Sequence, residues 1–109
     1  METQVGFAVI YRWRVAPDQE SAFIEAWRKV TELVRTHRGG LGSRLHRASD
    51  GAFVAYAQWP SEAAWRAAGE KGPVDEAASA VAVMRSAIVE RFEEVRLDLV
   101  ADMLLPGRD

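Results

Sequence analysis

The chain has 109 residues, of which 49% are apolar and 28% are charged, and its formal net charge at pH 7 is −2. A chain of this length buries roughly two-thirds of the surface that it exposes when unfolded, which suffices for one core but not for a separate nucleotide-binding domain. The absence of cysteine excludes disulfides, thiolate-ligated zinc, iron–sulfur clusters and a cysteine nucleophile. We therefore predict a single domain over residues 1–109.

The charge pattern argues against a nucleic-acid partner. Fourteen basic residues are outnumbered by sixteen acidic ones, and no basic run or stripe is present. No stretch approaches the roughly eighteen apolar residues that span a bilayer, and the start of the chain lacks the positive charge of a signal peptide. We expect a cytoplasmic protein that makes no membrane contact.

The first predicted element is a strand over residues 5–15. This run is rich in β-branched and aromatic residues, and it is apolar at even as well as odd positions. A strand that is apolar on both faces is usually covered on both faces. Pro17 and Asp18 then open an amphipathic helix, whose apolar residues recur at intervals of three and four until Gly39 and Gly40 end it.

The next two strands, over residues 41–49 and 52–59, form a predicted hairpin. Asp50 and Gly51 separate them, and this dipeptide suits a two-residue type I′ turn. The turn fixes the register of the hairpin, and with it the face on which each side chain lies.

In this register His46 lies opposite Ala55. One face of the hairpin then combines small residues with two basic groups and two aromatic rings. This composition is typical of the wall of a cavity, in which small residues leave space for a ligand. The residues of this predicted face are Gly42, Arg44, His46, Ala48, Phe53, Ala55, Ala57 and Trp59. Tyr56 and Gln58 belong to the opposite face.

The remaining elements complete a βαββαβ order. Ser61 caps a helix over residues 62–68, a break follows at 69–73, a third helical pattern covers 74–88, and a last strand alternates through 92–104. The final residues, from Pro106 onward, form a short tail. This order predicts an α+β fold of the ferredoxin-like kind, a four-stranded antiparallel sheet with helices on one face.

The other face of such a sheet would be bare. Because a monomer rarely tolerates a large exposed apolar patch, we predict a homodimer in which two sheets pack face to face. The result would be a dimeric α+β barrel with its helices outside. Tyr56 and Gln58 would then lie at the dimer interface.

Several runs of the sequence resemble the antibiotic biosynthesis monooxygenase family. They are the Val-Ala-Pro segment after the first strand, the Gly-Gly-Leu-Gly segment before the second, the Asp-Gly hairpin and the Gln-Trp-x-Ser-Glu junction at residues 58–62. The resemblance implies a dimeric α+β barrel and a cofactor-independent oxygenase that converts a polycyclic, anthrone-like phenol into a quinone with O2.

The resemblance also implies a set of site residues. Quinone-forming members carry an asparagine on the third strand, a tryptophan at its end, an aromatic residue on the next helix and an arginine further on. Trp59 and Trp65 match the two aromatic positions, Ala55 occupies the asparagine position, and residues 77–79 contain no arginine. The whole sequence contains no asparagine.

The chemistry requires a flat phenol to be held, deprotonated and exposed to dioxygen in a dry cavity. A histidine with an ordinary pKa of about 6.5 is a usable base at neutral pH. We predict His46 as the base or orienting donor and Arg44 as the charge that stabilises the phenolate, with no metal and no cofactor. The predicted substrate-binding residues are Trp59, Trp65, Phe53 and Ala55.

Other functions remain open. Ala55 favours a dimeric binding module that keeps the barrel without catalysis. Haem-degrading relatives of the same fold carry a histidine on the second helical segment, whereas this chain has only His37 and His46. A cavity above Ala55 would favour the enzyme, and filling of that space by Trp59 or Trp65 would contradict it.

Overall fold

The computed structural model describes residues 4–104. Its strands are β1 (Phe7–Val15), β2 (Ser43–Arg47), β3 (Phe53–Trp59), β4 (Ile88–Arg91) and β5 (Val95–Asp98). Its helices are α1 (Glu20–His37), α2 (Glu62–Lys71) and α3 (Ala78–Ala87), and short 3₁₀ turns at Pro17–Gln19 and Asp75–Ala77 precede α1 and α3. The predicted tail from Pro106 lies outside the described residues.

The strands form one antiparallel sheet in the order β2-β3-β1-β4, and the helices lie on one of its faces. This confirms the predicted α+β, ferredoxin-like fold. The fourth position, however, holds two short strands, because β4 pairs with the second half of β1 and β5 with its first half. The predicted single strand over residues 92–104 was therefore wrong.

The helices follow the predicted order with shifted ends. Ser61 caps α2 as predicted, since its Oγ accepts a hydrogen bond from the Ala64 N–H at 3.1 Å. α2 continues past the predicted end at residue 68 to Lys71, within the predicted break at 69–73, and its C-cap is Gly72, whose φ is 74°. α3 begins only at Ala78, because a 3₁₀ turn occupies the start of the predicted helix.

Ala48 and Ala52 close the hairpin between β2 and β3, and the loop between these two residues has three residues rather than two. Ala48 N–H donates to the Ala52 carbonyl at 2.8 Å, and Gly51 N–H donates to the Ala48 carbonyl at 2.9 Å. This is the pattern of a type I turn followed by a left-handed residue, here Gly51 with a φ of 89°. A type I′ turn would also need a positive φ at Asp50, and no non-glycine residue among 4–104 has one. The predicted turn was wrong.

The longer loop shifts the hairpin register by one residue. His46 pairs with Val54, and Leu45 pairs with Ala55. Because directly paired residues share a face, Leu45 and Ala55 lie beneath the helices, whereas His46 and Arg44 lie on the far face. The predicted face was correct for β3 and wrong for β2.

The core lies between the sheet and the helices. The Phe23 ring of α1 sits 5.5 Å from Trp13 and 5.4 Å from Phe53, measured between ring centroids. The far face of the sheet carries exposed apolar side chains on β5, where Val95 is 50% and Leu97 36% exposed. Within residues 4–104, no helix has the length and apolar character needed to cross a membrane.

Candidate functional site

A cavity of about 270 Å³, which we call the central cavity, lies between α1 and the sheet. Small side chains of β3, Ala55 and Ala57, leave room on the sheet side. Aromatic rings line it from the strands and from α1, and Met84 lines it from α3. The aromatic residues are Tyr11, Trp13, Trp27 and Trp59. Ala55 itself is 1% exposed and packs in the core at the edge of this cavity. Trp59 forms part of the cavity wall and Trp65 does not line it, so neither ring fills the space.

A second cavity of about 290 Å³, the side cavity, adjoins the first. It extends below α2 and is lined by Trp65 and Ala68 as well as by residues of α1. The two cavities share Tyr11, Val30, Val34 and Trp59 in their linings. Taken together, they fall within the range of about 300–1,000 Å³ that is typical of small-molecule sites.

Two buried polar atoms of the central cavity have no hydrogen-bond partner among the described residues. They are the Nε1 of Trp59 and the Oγ of Ser43, which belongs to β2. Buried polar groups are normally paired, and an exception in a cavity wall indicates a group that a ligand can satisfy. We therefore take this N–H group and this hydroxyl as the candidate partners of a bound molecule.

Tyr11 supplies a third polar group and lines both cavities. Its Oη accepts a hydrogen bond from the Trp65 Nε1–H at 3.0 Å, which leaves the phenol proton free to be donated elsewhere. Burial raises the pKa of Tyr11, the hydrogen bond from Trp65 partly opposes this effect, and the negative charge of Glu94 adds to it. Tyr11 is therefore a protonated donor at neutral pH, not a base.

The charged residues that line the cavities are all arginines. Arg35 and Arg91 line the central cavity, and Arg38 lines the side cavity, whereas no aspartate, glutamate or histidine among residues 4–104 lines either one. Arg35 and Arg91 have no carboxylate within salt-bridge distance in the described part of the chain. The site is positive although the whole chain has a net charge of −2.

The residues predicted from sequence divide between two regions. Trp59 and Ala55 line the central cavity, and Trp65 lines the side cavity. Phe53 lines neither of them and packs in the core, where it is 3% exposed. His46 and Arg44 are exposed on the far face of β2, because the register shift turns them away from Ala55. The structure does not bring His46 together with the cavity.

Neither histidine lines either cavity. His37 lies at the end of α1, where its Nε2 is 3.8 Å from Glu76 Oε2. A set of three or more histidine, aspartate and glutamate side chains that could hold a metal ion is not present among residues 4–104.

Tyr11, Ser43 and Arg35 were missed as site residues in the sequence. Tyr11 occupies an odd position of β1 like its core neighbours, and only its pairing with Ala55 shows that a small residue leaves space beside it. Ser43 and Arg35 could be found only with the correct hairpin register and the position of the α1 end.

Residues 6–80 match the model of the antibiotic biosynthesis monooxygenase family. The chain is similar to a monooxygenase from the gene ActVA-Orf6 of Streptomyces coelicolor, solved in complex with the ligand nanaomycin D. Their identity is 28%, with 94% of each chain covered and a TM-score of 0.69. No curated protein matches the sequence.

Two further solved structures share the fold. A Caulobacter crescentus protein, provisionally assigned as an antibiotic biosynthesis monooxygenase, is 20% identical over 91% of this chain and 93% of its own, with a TM-score of 0.72. Rv0793 from Mycobacterium tuberculosis is 18% identical over 90% of this chain and 98% of its own, with a TM-score of 0.69.

Proposed function

This chain belongs to the antibiotic biosynthesis monooxygenase family, and on that premise we propose that it is a cofactor-independent monooxygenase of polycyclic phenols. The substrate is an anthrone-like ring system, which O2 oxidises to a quinone. The observation that carries this proposal is the central cavity between α1 and the sheet, which is lined by aromatic rings and by arginine as its only charged residue type among residues 4–104.

The reaction needs no external reductant. Loss of a proton converts the anthrone into its enolate, and the ring carbon of the enolate forms a C–O bond with O2 to give a peroxide. The peroxide takes up a proton and its O–O bond breaks. One oxygen remains as the new carbonyl and the other leaves as water with the second hydrogen of that carbon, so that the ring carbon is oxidised and O2 is reduced in equal measure.

The cavity supports this chemistry by stabilising negative charge. Donors fixed toward a developing oxyanion commonly lower the barrier more than any other single effect. Tyr11 Oη and Trp59 Nε1 are such donors, and the guanidinium groups of Arg35 and Arg91 add positive charge. With no carboxylate or imidazole in the described lining, the proton of the substrate passes to water.

The proposal assigns different roles from those expected of His46 and Arg44. Tyr11 donates to the oxyanion, Trp59 donates through Nε1 and stacks on the rings, and Trp65 holds the Tyr11 hydroxyl in place. Ala55 occupies the position that the resemblance assigns to an asparagine, and it supplies no polar group to the cavity.

We also propose that the protein is a homodimer joined through the far face of the sheet. This face carries exposed Val95, Leu97 and Leu99, which are 50%, 36% and 45% exposed, beside half-buried Ile10 and Tyr56. A second copy of the same apolar face would cover them.

The test is oxygen consumption by the purified protein with a panel of anthrones. Tyr11→Phe removes the proposed donor, and we expect turnover to fall about 100-fold, as for the loss of one oxyanion donor. Tyr56→Phe is the matched control, because the only other tyrosine of the chain lies on the far face of the sheet. Equal losses in the two variants, or no oxygen uptake by the unaltered protein with any anthrone, would contradict the proposal.

A non-catalytic binding module is the second candidate function. The absence of a base from the described lining of the central cavity favours it. In that case anthrones would quench the fluorescence of the cavity tryptophans with a saturable curve, and no oxygen would be consumed.

A further inference from the structure

A third, polar cavity of about 270 Å³ adjoins the central cavity at the edge strand β2. We call it the arginine vestibule. It shares Thr31, Arg35, Gly42, Ser43 and Gln58 with the lining of the central cavity. A molecule bound in the central cavity can therefore extend past Ser43 into the vestibule.

The only charged residues among 4–104 that line the arginine vestibule are Arg35 and Arg44. Neither has a carboxylate within salt-bridge distance in the described part of the chain. Other exposed arginines nearby are paired, such as Arg28 with Glu25 on the same helix and Arg47 with Glu20. The Arg35 guanidinium is therefore available to an anion bound in the vestibule.

Gly42 lies in the lining that the two cavities share. A Cβ added to this residue would lie 3.8 Å from the Arg35 Cδ, and its φ of 108° belongs to the region that favours glycine. Ser43, whose buried Oγ has no partner among the described residues, lies next to it in both linings. The shared lining thus contains a residue without a side chain beside a hydroxyl without a partner.

We infer that the substrate is an aromatic acid, whose rings occupy the central cavity and whose carboxylate substituent reaches Arg35 in the arginine vestibule. This inference rests on the proposed function and names the class of substrate more narrowly. The apolar central cavity adjoins the polar arginine vestibule, and this arrangement fits a flat ring system that carries one ionised substituent. A neutral polycyclic phenol would leave Arg35 without an anionic partner.

The experiment compares two ligands that differ only in charge. Anthraquinone-2-carboxylate and anthraquinone-2-carboxamide are titrated by quenching of tryptophan fluorescence, since Trp13, Trp27 and Trp59 line the central cavity. We expect the acid to bind about fivefold to tenfold more tightly than the amide, the range for a charge-assisted contact that is partly exposed to solvent. The preference should shrink as salt is raised.

Arg35→Gln should abolish the preference for the acid, so that the acid and the amide bind with equal affinity. Lys29→Gln is the matched control. This substitution also removes one positive charge from α1, but Lys29 is exposed and does not line the vestibule. Arg44 is left unaltered because it lies on the sheet face that the proposed dimer buries.

The outcomes separate this inference from the proposed function. Equal binding of acid and amide, or an acid preference that survives in Arg35→Gln, overturns the inference alone, since the rings still bind. A loss of both affinities in Arg35→Gln also overturns it, because Arg35 then shapes the cavity and does not recognise charge. Binding of neither ligand by the unaltered protein overturns the inference together with the ring site.

Discussion

The unpaired polar atoms of Ser43 and Trp59 have a cost in the ligand-free protein. A buried group without a hydrogen-bond partner loses its contacts with water and gains nothing in return, at roughly 1–3 kcal/mol. Such groups persist where binding requires them, because selection for a site opposes selection for stability alone. Ser43 Oγ and Trp59 Nε1 both lie in the wall of the central cavity, as this explanation requires.

Ser43→Ala should therefore separate stability from binding. We expect the free energy of unfolding to stay the same or to rise by up to about 1 kcal/mol, because the variant no longer buries an unpaired hydroxyl. The affinity for anthraquinone-2-carboxamide should fall about threefold to tenfold with the loss of one hydrogen bond. Urea unfolding and fluorescence quenching measure the two quantities.

Ser86→Ala is the control for this substitution. Its Oγ donates to the Val83 carbonyl at 3.1 Å on the exposed side of α3, and it lines none of the three cavities. A parallel loss of stability and affinity in Ser43→Ala would show that the hydroxyl supports the fold and not the ligand.

Sequence reasoning succeeded at residues whose position does not depend on a turn. Trp59 and Ala55 were placed correctly because the strict alternation of β3 puts them on one face in any hairpin register. His46 depended on the number of residues in the loop, and a difference of one residue moved it to the far side of the sheet. Local composition does not decide between a two-residue and a three-residue loop around Asp-Gly.

The hairpin loop itself is fixed by two neighbouring residues. Gly51 adopts the left-handed conformation, and Asp50 Oδ1 accepts a hydrogen bond from the Ala52 N–H at 3.0 Å. The Asp50 carboxylate also forms ion pairs with Arg12 and Arg14 of β1, across the far face of the sheet. These contacts stabilise the three-residue loop, and the ion pairs involve β1, which is distant in sequence.

Gly51→Ala should lower the free energy of unfolding by about 1–2 kcal/mol, the cost of a left-handed conformation for an L-residue. The added Cβ meets no atom within 4 Å, so the effect is conformational and not steric. Gly69→Ala is the matched substitution, because Gly69 lies within α2 and an added Cβ is equally unobstructed. It should stabilise the protein by up to about 1 kcal/mol. Equal effects of the two substitutions in urea unfolding would contradict the assigned loop.

The same loop predicts a dependence of stability on pH. The hydrogen bond from the Ala52 N–H, followed by the charges of Arg12 and Arg14, holds the pKa of Asp50 below its ordinary value. A lowered pKa in the folded state means that the folded protein binds fewer protons, so the stabilisation is present above about pH 4 and is lost as the pH falls through the lowered pKa.

Asp50→Asn should therefore be less stable than the unaltered protein at pH 6, and the difference should disappear toward pH 2. Thermal unfolding at a series of pH values measures it. Glu20, whose pKa is lowered by its hydrogen bond with Arg47, provides the comparison, since Glu20→Gln leaves the hairpin loop intact and should not alter the contribution of Asp50. A constant difference between Asp50→Asn and the unaltered protein at all pH values would contradict the prediction.

The broken fourth strand was not predictable from hydrophobic alternation. Residues 92–104 alternate as a strand does, but β1 has room along one edge for only two short segments, Ile88–Arg91 and Val95–Asp98. A shift in register between Arg14 and Val15 accompanies the pairing with β4. These restraints arise from the length of β1 and the end of α3, which a single window of sequence does not contain.

The two faces of the sheet differ in how far a single chain covers their apolar side chains. The helices cover one face and enclose the cavities, whereas the other face exposes apolar residues of β5 beside those of β1 and β3. The two-sided apolar character of β1, visible in the sequence, corresponds to these two surfaces. Pairing of two copies would bury the apolar residues of the far face between two sheets and would leave the helix-covered face unchanged.

Val95→Arg places a charge in the middle of the proposed interface, and we expect it to convert the dimer into a monomer. The unaltered protein should sediment at twice the 12.1 kDa mass of one chain, and the variant at that mass. Val83→Arg is the matched control, because Val83 is 37% exposed on the helical side, in α3, and the same substitution there should leave the dimer intact. A monomeric unaltered protein, or a Val95→Arg variant that remains dimeric, would contradict the interface. Because the central cavity lies between α1 and the sheet, on the opposite side of the sheet from Val95, a folded monomeric variant should still bind anthraquinone-2-carboxamide.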